Sequence, residues 1–254
     1  MVAHRGPAEV ADGVFFTRPP ALPRGRHDLP PQQVAAAQRE RMMIAATELM
    51  AGGGYRGVGV REVCARASVS RAAFYECFGD KDACVHAAYD RFIAVLVRAL
   101  GAGTPEGKGW DEYVVGLAQV YLGLVRRDPV TARAFLVEMD ALGRGARDRR
   151  REAVRRLALL LRDKHAQWAA AGGAPLPLSA YAGVVYAMRQ LVADALDEGG
   201  RDLPDLLPEL AGWLPRLVGG VPQETPGRSL DGEEVPPHHR RNDRYVDTGV
   251  GDGD

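Results

Sequence analysis

The residues with the clearest chemical pattern lie at positions 60–84, where hydroxyl and basic side chains precede aromatic ones. Ser70 is followed by Arg71 and Ala72, and Phe74 and Phe78 stand four residues apart, the spacing of one helical face. An arginine can bond two acceptors on a guanine at once, and an alanine methyl can contact the methyl of a thymine. These residue types therefore predict a short helix that reads base edges in DNA.

Two short helices must position these side chains. Val60 and Ala67 recur at helical spacing in the first, and Ser68 marks the break that follows. Ser70 is placed to cap the second helix, because its hydroxyl can accept an N–H from the first turn. Two helices joined by so tight a turn are typical of a helix-turn-helix, whose second helix enters the major groove.

Over residues 39–98 the chain resembles the TetR family of bacterial transcriptional regulators. The most specific part of the resemblance is the run Phe74-Tyr75-x-x-Phe78-x-x-Lys81-Asp82, preceded by Gly54-Tyr55 at the end of an upstream helix. The chain departs from the family at Gly59, which can cap a helix only through its backbone, at Ser68, where glycine is usual, and at Cys77, which replaces an aromatic or histidine. The motif and the resemblance together predict DNA contacts at Arg61, Ser70, Arg71, Ala72, Phe74, Tyr75 and Lys81, with Tyr75 and Lys81 on phosphate.

Composition limits the other classes of function. Lys and Arg number 33 and Asp and Glu number 33, so the net charge is zero and any basic surface must be local. The three cysteines lack metal-ligand spacing, which fits a cytoplasmic chain with reduced thiols. His238-His239 has no partner ligands, so we expect no metal and no cofactor. No apolar run of about 18 residues exists, and we expect no contact with a membrane.

The chain divides into four parts by composition. Residues 1–31 and 220–254 are rich in Pro, Gly and mixed charges, and we expect both to be disordered tails, because they cannot bury enough apolar surface. Residues 32–84 form the helix-turn-helix domain and 85–219 a larger helical domain. Arg18, Arg24 and Arg26 could form a basic arm in a minor groove, although a solvated tail is the simpler interpretation.

Everything between the tails follows helical spacing. Helices are predicted at about 80–100 with Asp80 as N-cap, 110–127, 129–142, 146–171 and 178–198, and a weaker one contains Leu206 and Leu217, which Pro215 bends or ends. No alternating run is long enough for a sheet. The sequence therefore predicts an all-α fold of about nine helices.

The resemblance implies that the larger domain binds a small-molecule effector and forms a homodimer through its last two helices. Small residues at Ala182, Gly183 and Ala187 would permit close approach, and a dimer suits two half-sites of an operator. Aromatic, methionine and histidine side chains predict a pocket for an apolar or aromatic effector. The candidates are Trp110, Tyr113, Tyr121, Phe135, Met139, His165, Trp168 and Tyr186, with His165 or a tyrosine hydroxyl orienting the ligand.

The favoured hypothesis is a repressor that binds a pseudo-palindromic site in double-stranded DNA as a dimer and is released by its effector, with activation as a variant. An enzyme is a second class, since Asp128, Glu138, Asp140 and His165 could form an acid–base or metal group, but no nucleophile or phosphate-loop motif supports it. A third is a helical regulator that acts through protein contacts with weak or lost DNA binding, which the departures at Gly59 and Cys77 keep open.

Overall fold

The computed structural model describes residues 8–20, 29–103, 109–169, 176–198 and 203–218. These ranges contain nine α-helices: α1 (Pro31–Gly53), α2 (Val60–Ala67), α3 (Arg71–Cys77), α4 (Lys81–Gly101), α5 (Trp110–Arg127), α6 (Pro129–Leu136), α7 (Arg144–Ala169), α8 (Leu178–Glu198) and α9 (Leu206–Val218). Short 3-10 turns lie at Tyr55–Gly57, Glu138–Leu142 and Leu203–Asp205. The described residues form no strand, only an isolated bridge between Asp12 and Phe16, so the predicted all-α fold is confirmed.

The two predicted caps in the helix-turn-helix are present. The Ser70 hydroxyl accepts the Ala73 N–H at 3.1 Å and starts α3, and the Asp80 carboxylate accepts the Ala83 N–H at 2.7 Å and starts α4. Gly59 precedes α2 without a side-chain cap, as its missing side chain requires. These caps satisfy N–H groups that a helix leaves unpaired at its first turn.

Ser68 adopts the left-handed conformation that its position in the turn requires, with φ of 54°. Its N–H bonds the Ala65 carbonyl at 3.3 Å, and the Val69 N–H bonds the Cys64 carbonyl at 3.0 Å, so the end of α2 is closed. A side chain in this conformation costs about 1 kcal/mol relative to glycine. The turn geometry is therefore kept although the usual glycine is absent.

Helices α1–α3 are here called the reading head. In it, α2 and α3 pack against α1. Met42 and Met50 of α1 and Phe74 of α3 are fully buried, and α1 contacts α2, α3, α4 and α6. Helices α4–α9, here called the C-terminal core, pair most extensively as α7 with α8 and α5 with α9. Because α4 spans the expected domain boundary at residues 84 and 85 and contacts α1 and α7, it is the main continuous element between the two parts.

Helix α9 continues through Pro215 to Val218, so the proline does not end it. Leu206, Leu210, Leu214 and Val218 are buried along one face, and this burial offsets the backbone hydrogen bond that proline cannot make. The Trp110 indole N–H donates to the Val218 carbonyl at 3.0 Å and secures the last turn against α5. No helix in the described ranges is both long and apolar enough to cross a bilayer.

The predicted disorder of residues 1–31 is wrong for residues 8–20. Val10, Phe15 and Phe16 are buried, and the Phe15 ring lies 4.8 Å from that of Phe92 in α4. Three apolar side chains in a Pro- and Gly-rich stretch suffice because they pack on a surface that the rest of the fold supplies. Residues 1–7, 21–28 and the predicted tail at 220–254 lie outside the described residues, as do Arg24 and Arg26.

Candidate DNA-binding helix and effector cavity

Helix α3 places its polar and basic side chains outward at its N-terminal end. Arg71 and Ala72 are exposed in the first turn, and Tyr75 is 51% exposed one turn later. The opposite face, Ala73 and Phe74, is buried against α1 and α2. This arrangement brings the predicted guanine-reading arginine and the alanine methyl onto one accessible surface of a helix two turns long.

Phe74 is a correction to the predicted DNA contacts. Its side chain is fully buried, with ring centroids 5.5 Å from Tyr75 and 5.7 Å from Phe78, so it cannot reach a nucleic acid. The spacing that suggested one functional face joins two core residues instead. Phe74 and Phe78 hold α3 on the reading head, and only Tyr75 among these aromatics faces outward.

Two further predicted contacts frame α3. Arg61 is exposed on α2, and Ser70 is exposed although its hydroxyl already caps α3. The capping bond uses only one acceptor site of that hydroxyl, so its proton stays available to a phosphate oxygen. Neither residue is buried, so both side chains are accessible from solvent.

Lys81 begins α4 with its ammonium held in place. Its Nζ lies 4.1 Å from the centre of the Tyr55 ring, a cation–π contact, and the Tyr55 hydroxyl donates to the Asp82 carboxylate. Burial and that carboxylate raise the pKa of Tyr55 well above its usual value, so the hydroxyl remains a donor. The ammonium and the free N–H groups of the first turn both favour a phosphate at this point.

Arg39 supports the recognition helix and was not anticipated from the sequence. Its Nη1 donates to the Cys77 carbonyl at 3.0 Å, and its guanidinium lies 4.3 Å from the centre of the Phe78 ring. It thereby ties the C-terminal end of α3 to α1, near the Cys77 departure. The contact joins residues 38 positions apart, and no local spacing could have indicated it.

A second site lies inside the C-terminal core, where six helices surround an apolar cavity. Their side chains surround a cavity of about 100 Å³ that opens to solvent. Most of the wall is aliphatic, in contrast to the predicted aromatic pocket. The lining residues are Tyr89, Phe92, Ile93, Leu96, Leu100, Val114, Leu117, Ala118, Tyr121, Leu136, Arg150, Ala153, Val154, Leu157, Leu160, Leu161, Val184, Val185, Met188, Arg189, Leu214 and Val218.

The wall of this cavity has few polar groups, and two of them, Arg189 and Tyr121, lie near each other. Arg189 of α8 lines the wall and donates to the Leu136 carbonyl at the end of α6, at 2.9 Å. Burial raises the pKa of Tyr121, and the nearby Arg189 charge opposes that rise. Tyr121 therefore stays a neutral hydroxyl close to a fixed guanidinium. A long apolar wall with a cationic, hydrogen-bonding corner suits a ligand with one apolar and one anionic or carbonyl end.

Most of the predicted pocket residues lie elsewhere, and of the eight only Tyr121 lines the cavity. Phe135 and Met139 are buried behind it, with the Phe135 ring 5.4 Å from that of Phe92, and Tyr186 is 42% exposed on α8. Four more, Trp110, Tyr113, His165 and Trp168, form a separate aromatic cluster. Helical spacing identified most of these side chains as buried, although Trp168 and Tyr186 are exposed, but it could not show which helix faces leave space between them.

The rings of that aromatic cluster pack against one another. Trp110 stacks on His165 at 4.4 Å, and His165 Nδ1 lies 2.5 Å from the Tyr181 hydroxyl. The Leu176 N–H donates to the same hydroxyl at 3.1 Å, so the Tyr181 hydroxyl is bonded on two sides. Asp128, which caps α6, accepts the N–H and the hydroxyl of Thr131 and the N–H of Ala11. Asp128 and His165, two of the four residues considered for an acid–base group, therefore have separate structural roles.

Comparison with known proteins agrees with this geometry. Residues 43–88 match the model TetR_N, described as bacterial regulatory proteins of the tetR family. The fold is similar to the fatty acid degradation regulator FadR from Bacillus halodurans, at 16% identity and a TM-score of 0.63, covering 77% of this chain and 99% of that one.

Two further solved structures are similar. FadR from Bacillus subtilis, in complex with stearoyl-CoA, aligns at 16% identity and a TM-score of 0.61, over 71% of this chain and 98% of that one. A transcriptional regulator from Aquifex aeolicus VF5 aligns at 21% identity and 0.53, over 71% and 99%. A comparison with curated protein sequences gave no match. The N-terminal part of this chain thus matches the tetR family of bacterial regulatory proteins over residues 43–88, and the described helices are similar in fold to these solved regulators.

Proposed function

We propose that this protein is a ligand-responsive repressor that binds a pseudo-palindromic operator as a dimer and is released by an effector with a long acyl-like chain. The observation that carries the proposal is that α4 serves both sites. It begins with Lys81 at the DNA-binding surface, and its residues Tyr89, Phe92, Ile93, Leu96 and Leu100 line the cavity. The distance from Lys81 to Tyr89 along the helix is about 12 Å.

Contact with DNA would divide between reading and anchoring. Arg71 and Ala72 are placed to contact base edges, whereas Tyr75, Lys81 and Arg61 are placed to bond phosphates. The protein has no net charge, so this small surface must supply the whole electrostatic attraction. Two such surfaces about 34–36 Å apart would engage successive major grooves on one side of the duplex.

The homodimer would form through α8 and α9. Gly183 and Tyr186 are exposed on one side of α8, and Leu217 is 51% exposed on α9. The outer surface of this helix pair therefore carries small and apolar side chains where a surface in contact with water usually carries polar ones. Ala182 and Ala187 flank this surface and are half-buried. A second copy would cover these positions in a symmetric interface.

The cavity supports an acyl-type effector. Most of its wall is aliphatic, which favours a methylene chain among the apolar or aromatic effectors that the sequence predicts. Arg189 and Tyr121 stand near one another in the wall and could hold an anionic or carbonyl group at one end of that chain. The similar FadR of Bacillus subtilis holds stearoyl-CoA, and we propose the same chemical class here.

The ligand would act through α4. An acyl chain that separates α4 from α7 would shift Lys81 and the adjoining reading head. The two reading heads of the dimer would then no longer have the separation that the operator requires. Ligand and DNA then prefer different arrangements of the same helices, and each weakens the other by the same factor. Such coupling is typically 1–3 kcal/mol, or about 5–150-fold in operator affinity.

Operator release by stearoyl-CoA tests this proposal. An operator would first be selected from random duplexes with the purified protein, and its affinity then measured by fluorescence anisotropy with stearoyl-CoA, stearate or free coenzyme A. We expect stearoyl-CoA to weaken operator binding by about 5-fold or more and free coenzyme A to have no effect. Ala118→Phe, which fills the cavity from α5, should keep operator affinity and lose the response.

Val120→Phe is the matched control, since Val120 lies on the outer side of the same helix and is 41% exposed. It should respond to stearoyl-CoA as the unaltered protein does. An equal response in Ala118→Phe would remove the cavity from the mechanism. If no duplex were enriched above background, the regulator acting through protein contacts would replace the repressor.

A further inference from the structure

The N-terminal segment Ala8–Pro20 contacts the reading head and the C-terminal core through adjacent peptide groups. The Val10 N–H donates to the Glu48 carboxylate on α1 at 3.1 Å. The next N–H, of Ala11, donates to the Asp128 carboxylate, which starts α6. Two consecutive residues of one segment are therefore bonded to buried acids in the two functional parts of the protein.

On the reading head, Glu48 is the centre of a buried ionic cluster. Only 3% of its side chain is exposed, and it is paired with Arg18 of the segment at 2.6 Å and with Arg66 of α2 at 2.5 Å. Arg66 also donates to the Ala8 carbonyl at 2.7 Å. A buried carboxylate is costly without such partners, so α1, α2 and both ends of the segment hold one another in place.

Toward the C-terminal core, the segment contacts α4 and α6. Asp128 is fully buried and accepts the Thr131 N–H at 3.0 Å and its hydroxyl at 2.7 Å, so it fixes the first turn of α6. Phe15 packs on Phe92, a residue that also lines the effector cavity. The segment thus reaches the wall of the cavity on one side and α2, the helix before the recognition helix, on the other.

We propose that Ala8–Pro20 is a strap that couples the reading head to the C-terminal core, with Glu48 and Asp128 as its two attachment points. Motion of α4 or α6 relative to α1 cannot occur without breaking bonds to the strap or carrying the reading head along. This role rests on the proposed function for its effector-dependent part, because a coupling element needs a signal to transmit. Its mechanical part, a linkage between α1 and α6, stands without an effector.

Loss of the signal without loss of either binding site is the first test. Arg18→Ala removes one partner of Glu48 from a side chain that is 46% exposed, and Arg151→Ala, which breaks an exposed pair with Asp148 at 2.7 Å, is its control. In Arg18→Ala, stearoyl-CoA should bind as tightly as before, while its effect on operator affinity should fall to about threefold or less. The control should keep the full effect. An undiminished effect in Arg18→Ala would overturn the transmitting role.

Amide hydrogen exchange provides the second test and needs no effector. If the strap links the two parts, the amides of α2 and α6 should exchange with similar protection in the unaltered protein, because they open together. In Arg18→Ala, α2 should exchange at least about tenfold faster while α6 keeps its protection. Equal changes in α2 and α6, or no change in either, would contradict the strap. A protein that shows the exchange result but ignores stearoyl-CoA would retain the strap and disprove the proposed effector.

Discussion

The reading head and the effector cavity differ in how many parts of the chain build them. The surface expected to read DNA lies on a single helix of seven residues, α3, fixed by one serine cap and two buried phenylalanines. The cavity is enclosed by six helices, from Tyr89 in α4 to Val218 in α9. The surface on α3 is determined by the spacing of neighbouring residues. The cavity is determined by how helices distant in the sequence pack and leave space between them.

This difference explains why the two sites constrain function unequally. A helix that must enter a major groove allows few sequences, because its length, its cap and its outward side chains are all fixed by the geometry of DNA. An aliphatic cavity can be lined by many combinations of Leu, Val and Ile with the same volume. The reading head therefore identifies a class of partner from residues alone, whereas the cavity identifies only the polarity of its ligand.

The largest expected effect concerns the dimer, on which DNA binding by two heads depends. Gly183→Glu adds a charge to the exposed side of α8, where a new Cβ would meet no atom within 4 Å in the monomer. The monomer should fold normally, because glycine is the weaker helix former, but a two-fold interface would bury the charge twice. We expect a monomer by sedimentation and a loss of operator affinity of about 100-fold or more.

Gly183→Ala is the control for Gly183→Glu, because it distinguishes the effect of the added charge from that of the higher helix propensity. It gains the same backbone preference for a helix but brings no charge, so it should remain a dimer and keep its affinity for the operator. A dimer in both variants would place the interface on another surface. A monomer that still bound the operator with full affinity would show that one reading head suffices.

The next effect is specific to the reading head and compares a reading with an anchoring residue. Arg71→Ala should cost about 1–3 kcal/mol per contacted base pair and relax the sequence preference at one position of each half-site. Lys81→Ala should instead weaken all sequences about equally and lower the salt slope by about one unit per half-site. Selection of binding sites and titration over a range of salt measure both. The assignment fails if Arg71→Ala keeps its preference or if the loss in Lys81→Ala is confined to one sequence.

How much the sequence could predict follows from the same contrast. Ser70 and Asp80 were identifiable as caps and Ser68 as a left-handed turn, since each depends on its neighbours within four residues. Phe74 was misassigned because spacing shows that two side chains share a face but not whether that face is buried. The role of Arg39 and the packing of residues 8–20 depend on contacts between residues far apart in the sequence, such as Arg39 with Cys77 and Val10 with Glu48, each pair 38 residues apart.

The effector pocket also could not be located from the sequence. Aromatic side chains were the best candidates by type, yet Trp110, His165 and Trp168 stack on one another and do not line the cavity. The cavity lies where smaller residues such as Ala118 and Ala153 form part of the wall. No single residue encodes an empty space in the core. The cavity becomes visible only when the helices are packed together.

The smallest expected effect tests whether the aromatic cluster supports the fold instead of binding the effector. His165 is buried, and burial lowers its pKa below the usual value of about 6.5. Its Nδ1 lies 2.5 Å from the Tyr181 hydroxyl, so the ring is held in place within the cluster. The unfolded chain therefore binds more protons than the folded protein just below pH 6.5, and stability should fall as the pH drops through this range.

His165→Phe keeps a ring against Trp110 and removes the titrating group, so its stability should depend less on pH between about 7.5 and about 5.5. Urea unfolding of both proteins at the two pH values measures the difference, and the part that remains is expected from His86, whose pKa burial also lowers. Affinity for stearoyl-CoA should be the same in both proteins at the higher pH, because His165 does not line the cavity. A variant that lost the ligand while keeping the pH dependence would return the cluster to the effector site and reverse the contrast between the packed and the hollow part of the core.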